Sequence, residues 1–201
     1  MLGIIDYGAG NLRSVQKALE KLGERALVSG DKAVLDGCDK LILPGVGSFG
    51  AGMAELSARG LDSYVKARAK DTPILGICLG MQFLLEQSFE DGEFAGLGLI
   101  SGQVVRFTEG KIPQIGWNEV HGLKTPLFEG IAEGTRFYFV HSYRAACADE
   151  FACAKTEYYI EYPSAIWRGN VYGVQFHPEK SGEAGLKLLK NFCKMSSHNL
   201  F

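Results

Sequence analysis

The stretch PILGICLGMQFLLEQ, residues 73–87, joins a buried strand to a helix through one cysteine. Its first five residues form a short apolar run, which is typical of a strand buried on both faces of a parallel sheet. Cys78 follows at once, between Gly76 and Gly80, and residues 79–87 are predicted to be helical. A nucleophile at such a turn needs small neighbours, because strand and helix approach each other closely there. The stretch therefore predicts a cysteine nucleophile at the carboxyl end of a strand, where α/β sheets carry their catalytic groups.

Strands and helices alternate in the residues that precede this turn. Apolar runs and helical periodicity predict, in chain order, a strand, a helix, a strand and two helices at residues 3–6, 11–22, 40–43, 52–59 and 61–70. Asn11 is expected to cap the first helix at its start and Gly23 at its end. This alternation predicts an α/β fold, in which helices cover both faces of a parallel sheet.

The second half of the chain is richer in strands. Six strands and a closing helix are predicted at residues 104–107, 115–120, 137–143, 157–162, 165–168, 171–176 and 182–195. No Ser- or Pro-rich linker, repeat or block of like charge separates the two halves. We therefore predict one domain over residues 1–201, built on a mixed sheet.

Composition excludes several classes of protein. The 201 residues include 21 Lys and Arg against 23 Asp and Glu, whereas nucleic-acid-binding proteins have a basic excess. No apolar run approaches the roughly 18 residues that span a membrane, and the N-terminus lacks a secretory signal pattern. The five cysteines form no CxxC pair, which favours free thiols and a cytoplasmic location. His141, Cys147 and Cys153 would lack a fourth metal ligand, so no metal is predicted.

A second motif, GVQFHPEKS at residues 173–181, supplies a base for the cysteine. His177 and Glu179 are two residues apart, so in an extended chain they project from the same face. Pro178 restricts His177 to extended backbone angles, and a carboxylate beside an imidazole holds its tautomer and stabilises the imidazolium. Taken alone, Cys78 could be a structural cysteine between packing glycines, and His177 a core histidine. Their combination favours a catalytic pair.

GICLGMQ with FHPEKS resembles the class I, triad-type glutamine amidotransferases. Further segments, spread over nearly the whole chain, resemble the glutaminase subunits of imidazole glycerol phosphate synthases within that family: DYGAGN at 6–11, PGVGSFG at 44–50, IPQIGWNEV at 112–120, FYFVHSY at 137–143 and GVQFHPEKSG at 173–182. Gln114 departs from the pattern, because relatives often have His before IGWN. The resemblance implies a flavodoxin-like three-layer α/β/α fold with a largely parallel, mixed central sheet.

The resemblance also implies an activity, hydrolysis of L-glutamine to glutamate and ammonia. Cys78 would attack the carboxamide, His177 would act as acid and base, and Glu179 would orient His177. Donors to the oxyanion are implied at Leu79, Val46 and Gly47. Binding of the rest of the substrate is implied for Gly45, Gln82, Glu90, His141, Ser142 and Tyr143. The alternative is a packed histidine for His141 and an ordinary polar helix face for Gln82 and Glu90.

Ammonia released into water at pH 7 becomes ammonium, so its acceptor is expected on a second chain. The resemblance implies a heterodimer with a (β/α)8-barrel cyclase subunit, and no cofactor or metal. The resemblance implies that the cyclase makes imidazole glycerol phosphate and an aminoimidazole carboxamide ribonucleotide in L-histidine biosynthesis. Residues that could contact this partner are Asn11, Trp117, Tyr138 and Lys180.

Other functions remain open from the sequence. One is the glutaminase subunit of another ammonia-channelling synthase, such as pyridoxal phosphate synthase or a specialised paralogue, although PGVGSFG and IGWN disfavour the former. A cysteine peptidase or hydrolase of the same fold is another. A non-catalytic regulatory paralogue is disfavoured by the intact set of Cys78, His177 and Glu179.

Overall fold

Thirteen strands and six α-helices make up the part of the chain that the computed structural model describes, residues 1–8 and 10–196. The strands, in chain order, are β1 (Leu2–Ile5), β2 (Ala26–Ser29), β3 (Lys40–Gly45), β4 (Ile74–Cys78), β5 (Gln87–Ser88), β6 (Phe94–Ala95), β7 (Gln103–Arg106), β8 (Gln114–Val120), β9 (Thr135–His141), β10 (Tyr143–Ala146), β11 (Ala152–Tyr158), β12 (Ile160–Arg168) and β13 (Val171–Val174). The α-helices are α1 (Leu12–Lys21), α2 (Lys32–Asp36), α3 (Phe49–Ala58), α4 (Leu61–Arg68), α5 (Leu79–Phe83) and α6 (Gly182–Lys194).

A seven-stranded sheet in the order β11-β12-β13-β4-β3-β1-β2 forms the centre of the fold. The five strands from β13 to β2 are parallel, while β11 and β12 add an antiparallel edge. The prediction of a largely parallel, mixed sheet is therefore confirmed. In this order β4, which carries Cys78, lies directly beside β13, which leads to His177.

Successive side chains of the central strands point to opposite faces of the sheet and build two apolar cores. On β1, Ile4 belongs to one core and Ile5 to the other. Helices α1 and α6 pack on the first core through residues such as Leu19 and Leu188. Helices α3 and α4 pack on the second through residues such as Leu56. The molecule thus has the predicted three-layer α/β/α arrangement.

Two small sheets contribute to the cores on either face of the central sheet. Strands β10, β7, β5 and β6 form one, and the antiparallel pair β8–β9 forms the other. In the pair, Gln114 lies opposite His141 and Trp117 opposite Tyr138. The β8–β9 pair thereby carries residues of two motifs that the sequence singled out.

The predicted elements are wrong at several boundaries. Strand β2 and helix α2 were not predicted, because both are short and β2 is only partly buried at the sheet edge. The helix after Cys78 ends at Phe83 instead of residue 87, because the amides of residues 97–100 donate to carbonyls of residues 83–85 and replace helical hydrogen bonds. The strand predicted at residues 157–162 is a hairpin that turns at Tyr159, whose φ is 59°.

Asn11 does not cap helix α1 as predicted, because its side chain makes no cap hydrogen bond. Its amide donates to a carboxylate near the end of the chain, as the site shows below. Gly23 does end the helix: it has a φ of 79° and its N–H donates to the Glu20 carbonyl at 2.9 Å. Within the described residues no helix is long and apolar enough to cross a membrane, and no group of three metal-ligating side chains occurs.

Candidate active site

Cys78 lies at the sharp turn between β4 and α5, with backbone angles φ 55° and ψ −109°. The strand and the helix approach so closely that only glycine fits beside it. A Cβ on Gly80 would lie 1.8 Å from the Leu43 carbonyl oxygen, and one on Gly76 would lie 2.6 Å from the Gly80 carbonyl oxygen. Such strained angles at a non-glycine residue persist only where the surroundings enforce them, and they cluster at active sites.

His177 reaches Cys78 from the neighbouring strand, just after β13. Its imidazole adjoins the Cys78 side chain in the same cavity, and its Nδ1 lies 2.8 Å from Oε1 of Glu179. The side chains of His177 and Glu179 are 2% and 1% exposed. Asn11 Nδ2 also donates to the same carboxylate oxygen, at 3.3 Å. The structure thus brings the three predicted catalytic residues together.

The environment of His177 favours its charged form. Burial alone lowers the pKa of this imidazole, but hydrogen bonds and charge interactions with Cys78 and Glu179 raise its pKa to about 10. At neutral pH the imidazole is therefore protonated and can give a proton to a group that leaves beside Cys78.

A cavity of about 430 Å³ opens above the thiol and gathers most of the predicted site residues. Those that line it are Val46, Gly47, Cys78, Leu79, Gln82, Glu90, His141, Ser142, Tyr143, His177 and Lys180. Gly45 lies behind the cavity wall, paired with Cys78 across β3 and β4. Glu179 lies behind His177, as expected for a residue that orients the base.

Val46 and Gly47 follow the end of β3 beside the elbow. The Val46 side chain is 42% exposed and Gly47 has a φ of 98°. Leu79 is the first residue of α5, so its N–H is not used within the helix. Helix α5 has only 5 residues, so its dipole contributes little to the charge on sulfur.

One residue at the nucleophile was not predicted. Gln175 is completely buried, and its Nε2 donates to the Cys78 sulfur at 3.7 Å. Its position two residues before His177 was the available signal, because residues at that spacing share one face of an extended chain.

Residues 3–195 match the family of class-I glutamine amidotransferases. The chain belongs to this family. The imidazole glycerol phosphate synthase subunit HisH of Methanocaldococcus jannaschii is 49% identical over 197 residues, which cover 97% of this chain and 100% of that protein. HisH of Sulfurimonas denitrificans is 49% identical over 202 residues, covering 96% of this chain and 98% of the relative. PurLQS of Thermotoga maritima has the same fold, with a TM-score of 0.75 at 23% identity over 96% of each chain.

The hydrogen bonds of Gln82 in this amidotransferase leave one group free for a ligand. Its Nε2 donates to the Tyr143 carbonyl at 3.0 Å and to Gln175 Oε1 at 3.1 Å. Both amide hydrogens are therefore used inside the protein, and the amide oxygen is left as an acceptor. Glu90 accepts a hydrogen bond from the Phe49 N–H at 2.7 Å, and burial raises the pKa of its carboxyl group.

His141 of the amidotransferase is buried and uses both ring nitrogens inside the protein. Nδ1 lies 2.7 Å from the Tyr143 carbonyl oxygen and Nε2 lies 3.2 Å from the Tyr162 hydroxyl. Burial lowers the pKa of His141 to about 4, so its ring is neutral. These contacts favour the alternative of a packed histidine that supports the wall of the cavity. Gln114, the departure from the family pattern, is buried beside it, with its Oε1 2.9 Å from the Tyr162 hydroxyl.

Three of the four predicted partner-contacting residues group together at the mouth of the amidotransferase site. Trp117 is 52% exposed and packs edge-on against Tyr138, with 6.1 Å between ring centroids. The Lys180 ammonium lies 5.9 Å from the centre of the Tyr138 ring. We call Trp117, Tyr138 and Lys180 the mouth patch. Asn11, the fourth, is partly buried and donates to Glu179 Oε1.

Proposed function

We propose that this chain is the glutaminase subunit of an imidazole glycerol phosphate synthase and supplies ammonia for L-histidine biosynthesis. One observation carries the proposal: Cys78 and His177 line the same cavity of about 430 Å³, and Glu179 holds His177 at 2.8 Å. The near full-length identity of 49% to HisH relatives supports the choice of synthase.

The reaction proceeds through a thioester. The Cys78 thiolate forms a bond to the carboxamide carbon of glutamine, and the C–N bond breaks as the His177 imidazolium gives its proton to the departing ammonia. Water then attacks the thioester and passes a proton to His177. The C–S bond breaks, glutamate leaves, and the thiolate–imidazolium pair is restored. Glu179 keeps the imidazole in the required tautomer throughout.

Negative charge on the carboxamide oxygen needs hydrogen-bond donors. The Leu79 N–H supplies one, and the peptides at Val46 and Gly47 supply the second. One such donor is worth roughly 10²–10³ in rate. Because Gly45 and Gly47 flank Val46, this peptide can rotate at low steric cost.

The cavity also has groups for the α-carbon of glutamine. The free amide oxygen of Gln82 accepts from the α-ammonium group, and the Glu90 carboxylate adds a negative charge on the same side. Ser142 and Tyr143 are the candidates for the α-carboxylate, while His141 supports the wall behind them. This division follows from which polar atoms have hydrogen bonds left to make.

The acceptor of the ammonia is on a (β/α)8-barrel cyclase subunit in a heterodimer. That subunit converts a ribulosyl-aminoimidazole nucleotide into imidazole glycerol phosphate and an aminoimidazole carboxamide ribonucleotide. The mouth patch contacts the cyclase, so that ammonia passes between the subunits without entering bulk water. The glutaminase needs no cofactor, acts as one domain over residues 1–201, and belongs in the cytoplasm, where its five free thiols stay reduced.

The test uses Cys78→Ala in complex with the cyclase subunit from the same organism. Glutamine-dependent synthesis is expected to be lost, whereas synthesis from added ammonia is expected to persist, because the cysteine serves only nitrogen release. Glutamine hydrolysis by the purified variant would contradict the triad. Glutamate release without product formation by the cyclase would point to another synthase. Cleavage of peptides and other amides instead of glutamine would point to a hydrolase.

A further inference from the structure

A second side chain reaches the nucleophile from the same strand as His177. Val174 of β13 lies opposite Ile77 of β4, so the next residue, Gln175, lies beside Cys78. Gln175 and His177 project from one face of the extended chain. The sulfur therefore has the imidazole and the Gln175 amide as neighbours, and the amide Nε2 is 3.7 Å from it.

The orientation of the Gln175 amide is determined by its neighbours. The Tyr143 carbonyl can only accept, so the Gln82 group facing it at 3.0 Å must be the NH2. The same NH2 donates to Gln175 Oε1 at 3.1 Å, which turns the Gln175 NH2 toward Cys78. The Gln175 backbone is held as well, because its N–H donates to the Ser164 carbonyl at 2.9 Å.

We propose that Gln175 is a further catalytic residue, whose amide N–H donates to the Cys78 sulfur and stabilises it as a thiolate. Gln82 acts through it as a positioning residue. The inference deepens the proposed function, because it rests on Cys78 being the nucleophile. An N–H donor to a charged sulfur forms a stronger hydrogen bond than the same donor to a neutral thiol or thioester. Unlike His177, the amide stays a donor at every stage, since it cannot lose its proton.

Several titratable groups also surround the thiol, and the test must separate them from the amide. His177 after β13, Tyr7 after β1 and Tyr162 on β12 interact electrostatically with Cys78. Glu179 and His141 interact with His177, and Glu90 and Lys180 line the same cavity. A substitution at Gln175 leaves all of these groups in place. A difference between the variant and the unaltered chain in the pH at which Cys78 ionises therefore reports on the amide.

The experiment measures the rate of alkylation of Cys78 by iodoacetamide from pH 4 to pH 10. Peptide mass spectrometry distinguishes alkylation of Cys78 from alkylation of the other four cysteines. Gln175→Met removes the donor at similar volume, and Gln175→Asn withdraws it from the sulfur by one methylene. Both are expected to raise the midpoint of the profile by about one pH unit.

Asn191→Leu is the matched control, because Asn191 is a buried amide that holds the Leu127 and Glu129 carbonyls. It is expected to lower Tm without moving the midpoint. A Gln175→Met midpoint equal to that of the unaltered chain would overturn the proposal and leave Gln175 a structural role. If that variant does not fold, Gln175→Asn decides by the same criterion. The assay needs neither glutamine nor the cyclase, so failure of the proposed function would not be mistaken for failure of this inference.

Discussion

Glu179 uses only one of its carboxylate oxygens. Oε1 accepts from His177 Nδ1 at 2.8 Å and from Asn11 Nδ2 at 3.3 Å, whereas Oε2 is buried without a hydrogen-bond partner among the described residues. An amide in place of the carboxylate can therefore keep the contact that orients His177. It would lose the negative charge that stabilises the imidazolium.

Glu179→Gln is accordingly expected to reduce glutamine turnover less than His177→Ala does. The turnover rates of the two variants are expected to differ by roughly 10²-fold. The amide oxygen of the variant still orients the ring, while His177→Ala removes the base itself. Steady-state rates of both variants in complex with the cyclase measure the difference. A larger loss in Glu179→Gln would contradict the division of roles between the two residues.

His141 is expected to make the fold sensitive to acid. Its pKa is about 4 in the folded chain against 6.5 as a free imidazole, so the unfolded state binds the extra proton between these values. The contribution of the neutral His141 ring to the free energy of unfolding is complete above pH 6.5 and is lost as pH falls toward 4. The free energy of unfolding falls by up to about 1.4 kcal/mol per pH unit over this range. Urea unfolding of the chain and of His141→Gln between pH 7.5 and pH 4.5 measures it.

The variant is expected to be less stable at pH 7.5 and to show a shallower decline on acidification. His121→Gln is the control, because the His121 side chain is 52% exposed. Equal slopes in the unaltered chain and in His141→Gln would show that the buried imidazole does not cause the acid sensitivity.

Among the elements, the segment after β3 has a backbone conformation that suits glycine. Gly47 has a φ of 98°, and a Cβ there would meet nothing within 4 Å, so the constraint is conformational and not steric. We infer that the Val46 N–H points away from the oxyanion in the free chain, and that the partner favours the peptide rotation that turns it inward.

Gly47→Ala is expected to restrict this rotation. It should lower the partner-activated kcat by up to about 10²-fold and leave KM for glutamine nearly unchanged, because the missing donor acts on the transition state. Gly98→Ala is the control, since Gly98 also has a positive φ, 63°, with nothing within 4 Å of its Cβ position. A change in KM alone would contradict the assignment.

The sequence predicted long, buried elements well and short or edge elements poorly. Strands β1, β3 and β4 are continuous apolar runs, so they stand out from their surroundings. Strand β2 is partly exposed, and α5 stops where a distant loop takes over its carbonyls. Short and edge elements depend on contacts with residues elsewhere in the chain. Local periodicity carries no information about such contacts.

For the whole molecule, the same limit applies to the site. Cys78, His177 and Glu179 were recognisable because each sits in a distinctive motif at the end of a strand. The bond from Asn11 to Glu179 and the series from Tyr143 through Gln82 to Gln175 were not predicted, because they join segments 168 and 93 residues apart in sequence. Such contacts follow from sheet order, which brings β13 beside β4.

The isolated chain is expected to be a poor glutaminase that the cyclase and its acceptor ligand activate. If the second oxyanion donor is turned away in the free chain, activation should reach roughly 10²–10³-fold. The partner must then bind the turned-in state more tightly by a matching amount. Glutamate release by the chain alone, with the cyclase, and with cyclase plus acceptor measures this. Equal kcat in all three would leave no role for partner-controlled rotation.

The position of β13 beside β4 also has a consequence for biosynthesis of the chain on the ribosome. Gln175 lies 97 residues after Cys78, and His177 lies two residues further on. At about 5–20 residues per second, the emerging polypeptide carries its cysteine for roughly 5–20 s before the base has been made. A nascent chain that does not yet include His177 therefore cannot consume glutamine, and nitrogen release begins only after β13 has been made and has paired with β4.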